Sequence, residues 1–162
     1  MTAFVWDTAI DTTLCFEGGY VNNPNDPGGE TRFGICKKSY PDIDIKNLTI
    51  EKAKEIYKRD YWDRCRCDFI PDALSIALFD FAVNSGTKRA IRYLQRALGV
   101  TVDGVIGNQT IGACNRVPTK YVLEKFIQYR LEFLMNLKGW KYFGNGWGRR
   151  VKTLKELCEK YI

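Results

Sequence analysis

The chain has 162 residues, of which 45% are hydrophobic, so it is long enough for a domain with a sizeable buried core. It contains no histidine, which excludes Ser-His-Asp and Cys-His catalytic systems and histidine-ligated zinc sites. Acid–base chemistry is left to Glu, Asp, Lys, Tyr and Cys side chains. The net charge of +6 suits a polyanionic partner, such as nucleic acid, an anionic membrane face or a bacterial wall, without choosing among them.

The first residues contain no basic segment, and Asp7 and Asp11 interrupt any apolar run, so we expect no secretory signal. No stretch approaches the ~18 consecutive apolar residues of a membrane span. The cysteines form no C-x-x-C pair, and several of them lie on apolar helical stripes. This pattern predicts buried thiols rather than a metal site, and it leaves one or two disulfides open. The cysteines are Cys15, Cys36, Cys65, Cys67, Cys114 and Cys158.

An amphipathic helix is predicted over residues 3–16, and the Gly18-Gly19 pair ends it. Glu17 follows Leu14 at helical spacing, so it continues the apolar stripe of this helix. Partial burial and the negative end of the helix dipole both favour the protonated carboxyl that a general acid needs. The alternative is an exposed glutamate at the end of a helix.

Residues 20–36 are rich in turn-forming residues and predict a small hairpin or a three-stranded sheet beside the helix. The chain reversal would bring Asp26, Glu30 and Thr31 across from Glu17. Glycosidases generally need two carboxyl groups close together, and a tight turn that carries two carboxylates can provide them. An acidic turn in a helical domain is the plainer interpretation.

Thr49 is predicted to cap a helix of about fifteen residues. Asp72 begins the most apolar segment, which predicts a central buried helix that ends at Asn84-Ser85-Gly86. Asp80 lies within this helix, and a buried acid needs a partner. The next helix is predicted over residues 87–98 and carries a stripe of basic residues. Such a stripe can bind nucleic acid, but it is more commonly the solvent-exposed face of a basic protein. The stripe consists of Lys88, Arg89, Arg92 and Arg96.

In the second half, a glycine-punctuated turn over residues 102–107 leads into a short helix. Pro118 lies near the start of the predicted longest helix, which reaches to about Leu137. Residues 139–148 are predicted to form an aromatic, glycine-rich loop before a last helix. The elements add up to a mostly α (α+β) domain, a helical bundle around a central buried helix with a small β-hairpin next to the candidate site.

Two sets of residues, in order along nearly the whole chain, resemble the glycoside hydrolase family 108 muramidases. The first is Glu17-Gly18-Gly19-Tyr20 with the run from Asp26 to Ile35. The second resembles the family's predicted peptidoglycan-binding region, and it consists of Asp80 to Gly86, Leu94 to Val100, Val102 to Gly107, and Gly146-Trp147 with Arg149 to Val151. The family includes phage endolysins and bacterial secretion-activator proteins.

The resemblance implies a lysozyme-like helical fold and cleavage of the β-1,4 bond between N-acetylmuramic acid and N-acetylglucosamine. It implies Glu17 as the catalytic acid. The Glu-x8-Asp-x4-Thr spacing is also similar to phage-type lysozymes, which implies Asp26 as general base or electrostatic stabiliser and Thr31 as the residue that holds the water. Glu30 is a rival for the role of Asp26. The residues predicted to bind substrate are Tyr20, Glu30, Phe33 and Asn84.

We therefore predict a muramidase catalytic region over residues 1–85 and a peptidoglycan-binding helical region over residues 86–162, packed as one compact unit. No metal or organic cofactor is expected. The expected partner of a monomeric protein is the peptidoglycan glycan strand, with no nucleic acid and no stable membrane insertion.

The favoured cellular role is a phage endolysin that is made in the host cytoplasm and acts in the periplasm or at the cell wall after release. Three alternatives stay open. They are a bacterial secretion-activator muramidase, a lytic transglycosylase and a non-catalytic wall-binding module.

Overall fold

The computed structural model describes residues 3–25 and 28–162, in which α-helices surround one central helix beside a small antiparallel sheet. This architecture confirms the predicted mostly-α, lysozyme-like fold. Over the described part of the chain, no helix combines the length and the apolar character needed to cross a membrane. The helices are α1 (Ala3–Phe16), α2 (Ile50–Tyr57), α3 (Asp72–Ser85), α4 (Thr87–Leu98), α5 (Asn108–Arg116), α6 (Thr119–Met135) and α7 (Trp140–Glu159).

The central helix is α3, which is buried along most of its length and packs against α1, α4, α6 and α7. A helix surrounded in this way needs apolar side chains on nearly every face, which is the pattern that the sequence shows. Helix α2 begins as predicted, because the Thr49 hydroxyl accepts a hydrogen bond from the Lys52 amide. It continues through a π-helical turn, Lys58–Trp62.

The sheet consists of β1 (Val21–Asn22), β2 (Glu30–Arg32) and β3 (Ile35–Cys36) in that order. Arg32 pairs with Ile35, so the turn between β2 and β3 contains only Phe33 and Gly34. Both turn residues have positive φ, 53° and 80°, as two-residue hairpin loops commonly require. The small three-stranded sheet predicted over residues 20–36 is confirmed, and Gly34 takes a backbone conformation that suits glycine.

The prediction of a loop over residues 139–148 is wrong, since residues 140–148 belong to α7, Trp140–Glu159. This helix, rather than α6, is the longest. Gly144 is buried beneath the indole of Trp140, and a Cβ atom there would lie 2.8 Å from Trp140 Cε2. Packing of the ring against the backbone therefore outweighs the low helix propensity of glycine, about 1 kcal/mol per residue relative to alanine.

All six cysteines are free thiols, and four of them are buried. Burial raises the pKa of the Cys65, Cys114 and Cys158 thiols to about 12. These side chains stay protonated near neutral pH and behave as small core residues. The prediction of buried thiols is confirmed for them and for Cys67, whereas Cys15 is exposed.

Candidate active site

Glu17 lies directly after the last residue of α1, where the backbone meets the β2–β3 hairpin. The amide of Phe33 donates a hydrogen bond to the Gly18 carbonyl at 3.0 Å, which ties the hairpin to the end of the helix. The Glu17 side chain is 22% exposed. It is therefore partly buried and open on one side, as its position on the apolar stripe predicts.

The β2–β3 turn lies against the Glu17 carboxylate. A Cβ atom on Gly34 would lie 2.9 Å from Glu17 Oε2 and 2.5 Å from the hydroxyl of Tyr57. That hydroxyl donates to the Phe33 carbonyl at 2.6 Å. Burial raises the pKa of Tyr57 well above its ordinary value, and the neighbouring Glu17 charge adds to the effect, so Tyr57 stays a neutral donor. Glycine at position 34 is what allows this close approach.

The second neighbour of Glu17 comes from the far end of the sequence. Arg150, on α7, places its Nη1 atom 3.4 Å from Glu17 Oε1. Its Nε and Nη2 atoms donate to the two carboxylate oxygens of Asp80 at 3.2 and 3.0 Å. Its guanidinium also lies 4.8 Å from the ring centroid of Phe16. Arg150 is therefore held in place by Asp80 and presents one remaining edge to Glu17.

Asp80 is the buried centre of this network. Besides Arg150, it accepts hydrogen bonds from Arg130 Nη1 at 2.8 Å and from the Thr13 hydroxyl at 2.9 Å. Burial opposes its charge, but the two guanidinium groups outweigh that effect and hold the pKa of Asp80 below its ordinary value. Asp80 is thus an ionised buried carboxylate with the partners that the sequence required it to have.

The sequence-predicted residues of the β-sheet form a second cluster. The hydroxyl of Tyr20 donates to Glu30 Oε2 at 2.6 Å. The guanidinium of Arg32 lies 5.1 Å from the Tyr20 ring centroid and 5.9 Å from that of Phe33. Thr31 is half-buried in β2, where it pairs with Val21 and Cys36.

Of the other residues predicted for the site, Asn84 is exposed at the end of α3 and joins the Asp80 network, because its Oδ1 accepts from Arg130 Nη2 at 3.3 Å. Asp26 lies outside the described residues. The structure therefore connects Glu17 to Asn84 through Arg150, Asp80 and Arg130.

A groove of about 370 Å³ has Glu17 in its lining and lies among the end of α1, the β2–β3 turn and the start of α2 at Ile50. Its lining includes Leu14, Glu17, Gly18, Gly19 and Phe33. No cluster of three or more Cys, Asp or Glu side chains that suits a metal ion is found among the described residues. Glu17 is thus a partly buried carboxyl that lines a groove and contacts a guanidinium, and a carboxyl in such a place can donate or accept a proton.

Arg150 and Arg130 are the site residues that sequence reasoning missed. Their signal was indirect: Asp80 needed a partner, but both arginines lie far from it in sequence, 70 and 50 positions away. Arg150 lies in the Arg149 to Val151 stretch of the family resemblance, but that resemblance gave it no role, and Arg130 lies outside every stretch that carried the resemblance.

Two family profiles match this chain. The one described as Glycosyl hydrolase 108 matches residues 10–86, and the one described as Predicted Peptidoglycan domain matches residues 89–152. Glu17, the hairpin and Asp80 lie in the first range, and Arg130 and Arg150 lie in the second. The contact between Glu17 and Arg150 therefore joins the two matched regions.

Among solved structures, the chain is similar to SagA of Brucella abortus. The sequences are 32% identical, the TM-score is 0.88, and the match covers 99% of this chain and 97% of SagA. No curated protein matches the chain.

Proposed function

Because the chain belongs to glycosyl hydrolase family 108 and is a peptidoglycan hydrolase, we propose that it is a muramidase with Glu17 as its general acid. The bond cleaved is the β-1,4 bond between N-acetylmuramic acid and N-acetylglucosamine. The observation that carries the proposal is the setting of Glu17, a partly buried carboxyl at the end of α1 that lines a groove and lies against the β2–β3 turn.

In the proposed reaction, the Glu17 carboxyl gives its proton to the glycosidic oxygen while the bond from that oxygen to C1 breaks. Positive charge develops at C1, and negative charge develops on Glu17. Arg150 stabilises the carboxylate as it forms, and this stabilisation is larger in the transition state than before proton transfer. Water then adds to C1 and loses a proton to the second carboxylate.

Asp26 is our candidate for the second carboxylate, with Thr31 holding the water, and Glu30 is the rival. The hydrogen bond from the Tyr20 hydroxyl already occupies Glu30 Oε2, which favours a role for Glu30 in ordering the sheet and contacting substrate. Tyr20 and Phe33 are proposed sugar contacts beside Glu30 at the sheet. Asn84, near the end of α3, is proposed as a further sugar contact.

We expect Asp26→Asn to lower hydrolysis about 100-fold or more, as the loss of a catalytic carboxylate does, and Glu30→Gln to lower it far less. Release of reducing ends from purified sacculi measures both, and the two variants control for each other because each removes one charge. If Glu30→Gln shows the larger loss, the roles are reversed.

The stereochemistry of the reaction is a separate prediction. Proton NMR of the first product anomer in the wild-type reaction distinguishes inversion, which we expect, from retention.

The chemical ends of the released muropeptides distinguish a muramidase from its two rivals. We expect the wild-type protein to release soluble muropeptides whose mass spectra show a hydrated N-acetylmuramic acid reducing end. A lytic transglycosylase would give 1,6-anhydro ends that are lighter by one water. Binding to sacculi without any soluble muropeptide would indicate a non-catalytic wall-binding module.

For the cellular role, a phage endolysin that is made in the host cytoplasm and reaches the wall through a membrane lesion stays our prediction from the sequence. The similarity to SagA of Brucella abortus favours the bacterial alternative, a secretion-activator muramidase. The gene neighbourhood tests this choice, since an endolysin gene lies among phage lysis genes and a secretion factor among export genes.

A further inference from the structure

Two cavities adjoin at the turn between α3 and α4. Both are lined by Gly86 and Thr87, so they share one wall. The first, of about 350 Å³, is lined on its other side by Tyr40, Asp60, Tyr61 and Arg64. The second, of about 490 Å³, contains Lys88, Arg89, Arg92 and Tyr93, and we call it the basic pocket.

The first cavity lies near the candidate catalytic carboxyl, to which it is connected by contacts between side chains. The Tyr61 ring packs against that of Tyr57, with centroids 5.5 Å apart. The hydroxyl of Tyr57 meets the same Gly34 turn that touches Glu17. Tyr57 itself is buried, so these contacts place the first cavity one side chain away from the turn at Glu17. A glycan strand that lies at Glu17 and extends over the surface towards Tyr61 would therefore approach the basic pocket.

The basic pocket carries positive charge that the protein does not neutralise. Across residues 3–25 and 28–162, no carboxylate lies within ion-pair distance of Lys88, Arg89 or Arg92, although seven such contacts occur elsewhere. All three side chains are exposed. Solvent-facing cations usually stay unpaired without consequence, but these three line one concave surface.

The geometry around the pocket keeps two of these cations together. A Cβ atom on Gly104 would lie 2.8 Å from Lys88 Cγ and 3.3 Å from Arg92 Nε, so both side chains lie against that glycine. The nearby Asp103 carboxylate is already bound, because its Oδ1 accepts from Gln95 Nε2 at 2.8 Å and from the Val105 amide at 2.9 Å. The loop therefore orders the two cations, and its Asp103 carboxylate lies within ion-pair distance of neither of them.

We propose that the basic pocket binds a carboxylate of the peptide stem that N-acetylmuramic acid carries in the wall. This inference rests on the proposed function, because it requires a glycan strand in the neighbouring groove. Stem peptides end in carboxylates and project from the sugar backbone, and guanidinium and ammonium groups recognise such anions through charge-assisted hydrogen bonds. Phosphate of accessory wall polymers has similar chemistry and is the rival source of the anion.

The test compares Lys88→Gln/Arg92→Gln with the control Lys120→Gln/Lys160→Gln, which removes the same charge from exposed positions outside both cavities. The substrates are sacculi freed of phosphate polymers by hydrofluoric acid and glycan strands freed of peptide by an amidase. We expect the pocket variant to raise KM on peptide-bearing sacculi about tenfold more than on peptide-free strands. The control should show no such difference.

Sacculi that have not been treated with hydrofluoric acid are assayed in parallel. Equal changes on the two treated substrates, or a loss that appears only on the untreated sacculi, would overturn the assignment. A direct titration separates this inference from the proposed function, since it needs no cleavage. The wild-type protein should bind a soluble stem tetrapeptide more tightly than the same peptide with amidated carboxyls, and the pocket variant should bind both alike. Equal binding of the two peptides by the wild-type protein counts against the pocket even if hydrolysis is normal.

Discussion

Glu17→Gln should abolish hydrolysis of sacculi while the protein stays folded. The substitution preserves the shape of the side chain and its ability to accept a hydrogen bond from Arg150, 3.4 Å away. It removes the proton that the leaving oxygen requires. General acid–base catalysis contributes about 10²–10⁴-fold to a rate, so we expect a fall of at least ~100-fold in reducing-end release.

The matched control for this prediction is Glu124→Gln, which removes the same charge from an exposed position on α6. It should retain the wild-type rate. Circular dichroism and the thermal midpoint establish that both variants are folded. A folded Glu17→Gln protein with near-normal hydrolysis would contradict the role of Glu17 as the acid.

Asp80→Asn should cause the largest loss of stability. The substitution leaves two guanidinium groups facing each other around a neutral amide, and the Arg130 side chain is 0% exposed. Removing one partner of a buried ion pair costs about 3–5 kcal/mol in the free energy of unfolding. For a chain of this size, a loss of that order lowers the thermal midpoint by roughly 10 °C.

Exposed Asp63, which pairs with Lys58 at 2.7 Å, provides the control. Asp63→Asn should cost at most about 1 kcal/mol, since solvent screens surface ion pairs. An Asp80→Asn protein that unfolds at the wild-type temperature would show that the network contributes little.

The Asp80 network also predicts how stability depends on pH. The pKa of Asp80 is held below its ordinary value of about 3.9, so its contribution is complete above that pH. The contribution is lost as the pH falls through the lower folded-state pKa. The difference in stability between wild-type and Asp80→Asn proteins should therefore be constant near neutral pH and shrink in acid, as urea unfolding at several pH values can measure.

Local sequence signals located most of the fold. The Thr49 cap and the apolar periodicity of α1 and α3 depend on residues a few positions apart, so they can be read without tertiary information. Glycines misled the prediction over residues 139–148, because the contact between Trp140 and Gly144 favours a helix that propensity alone disfavours.

The candidate site was predictable in part for the same reason. Glu17 has local signals, namely an apolar stripe before it and a glycine pair after it. Arg150 has none, since its role arises from contacts with Glu17 and Asp80 across 133 and 70 positions of sequence. The position of Asp80 in an apolar helix predicted only that some polar or charged partner must exist for it, without saying which.

The contact between Glu17 and Arg150 has a consequence for biosynthesis. A ribosome that has made Glu17 must add 133 more residues before Arg150 exists, which takes roughly 10 s at typical elongation rates. Until then, Glu17 lacks its guanidinium neighbour and Asp80 lacks one of its two arginine partners. We therefore expect a chain that stops before Arg150 to lack the completed site, so that hydrolysis of the wall begins only with finished molecules.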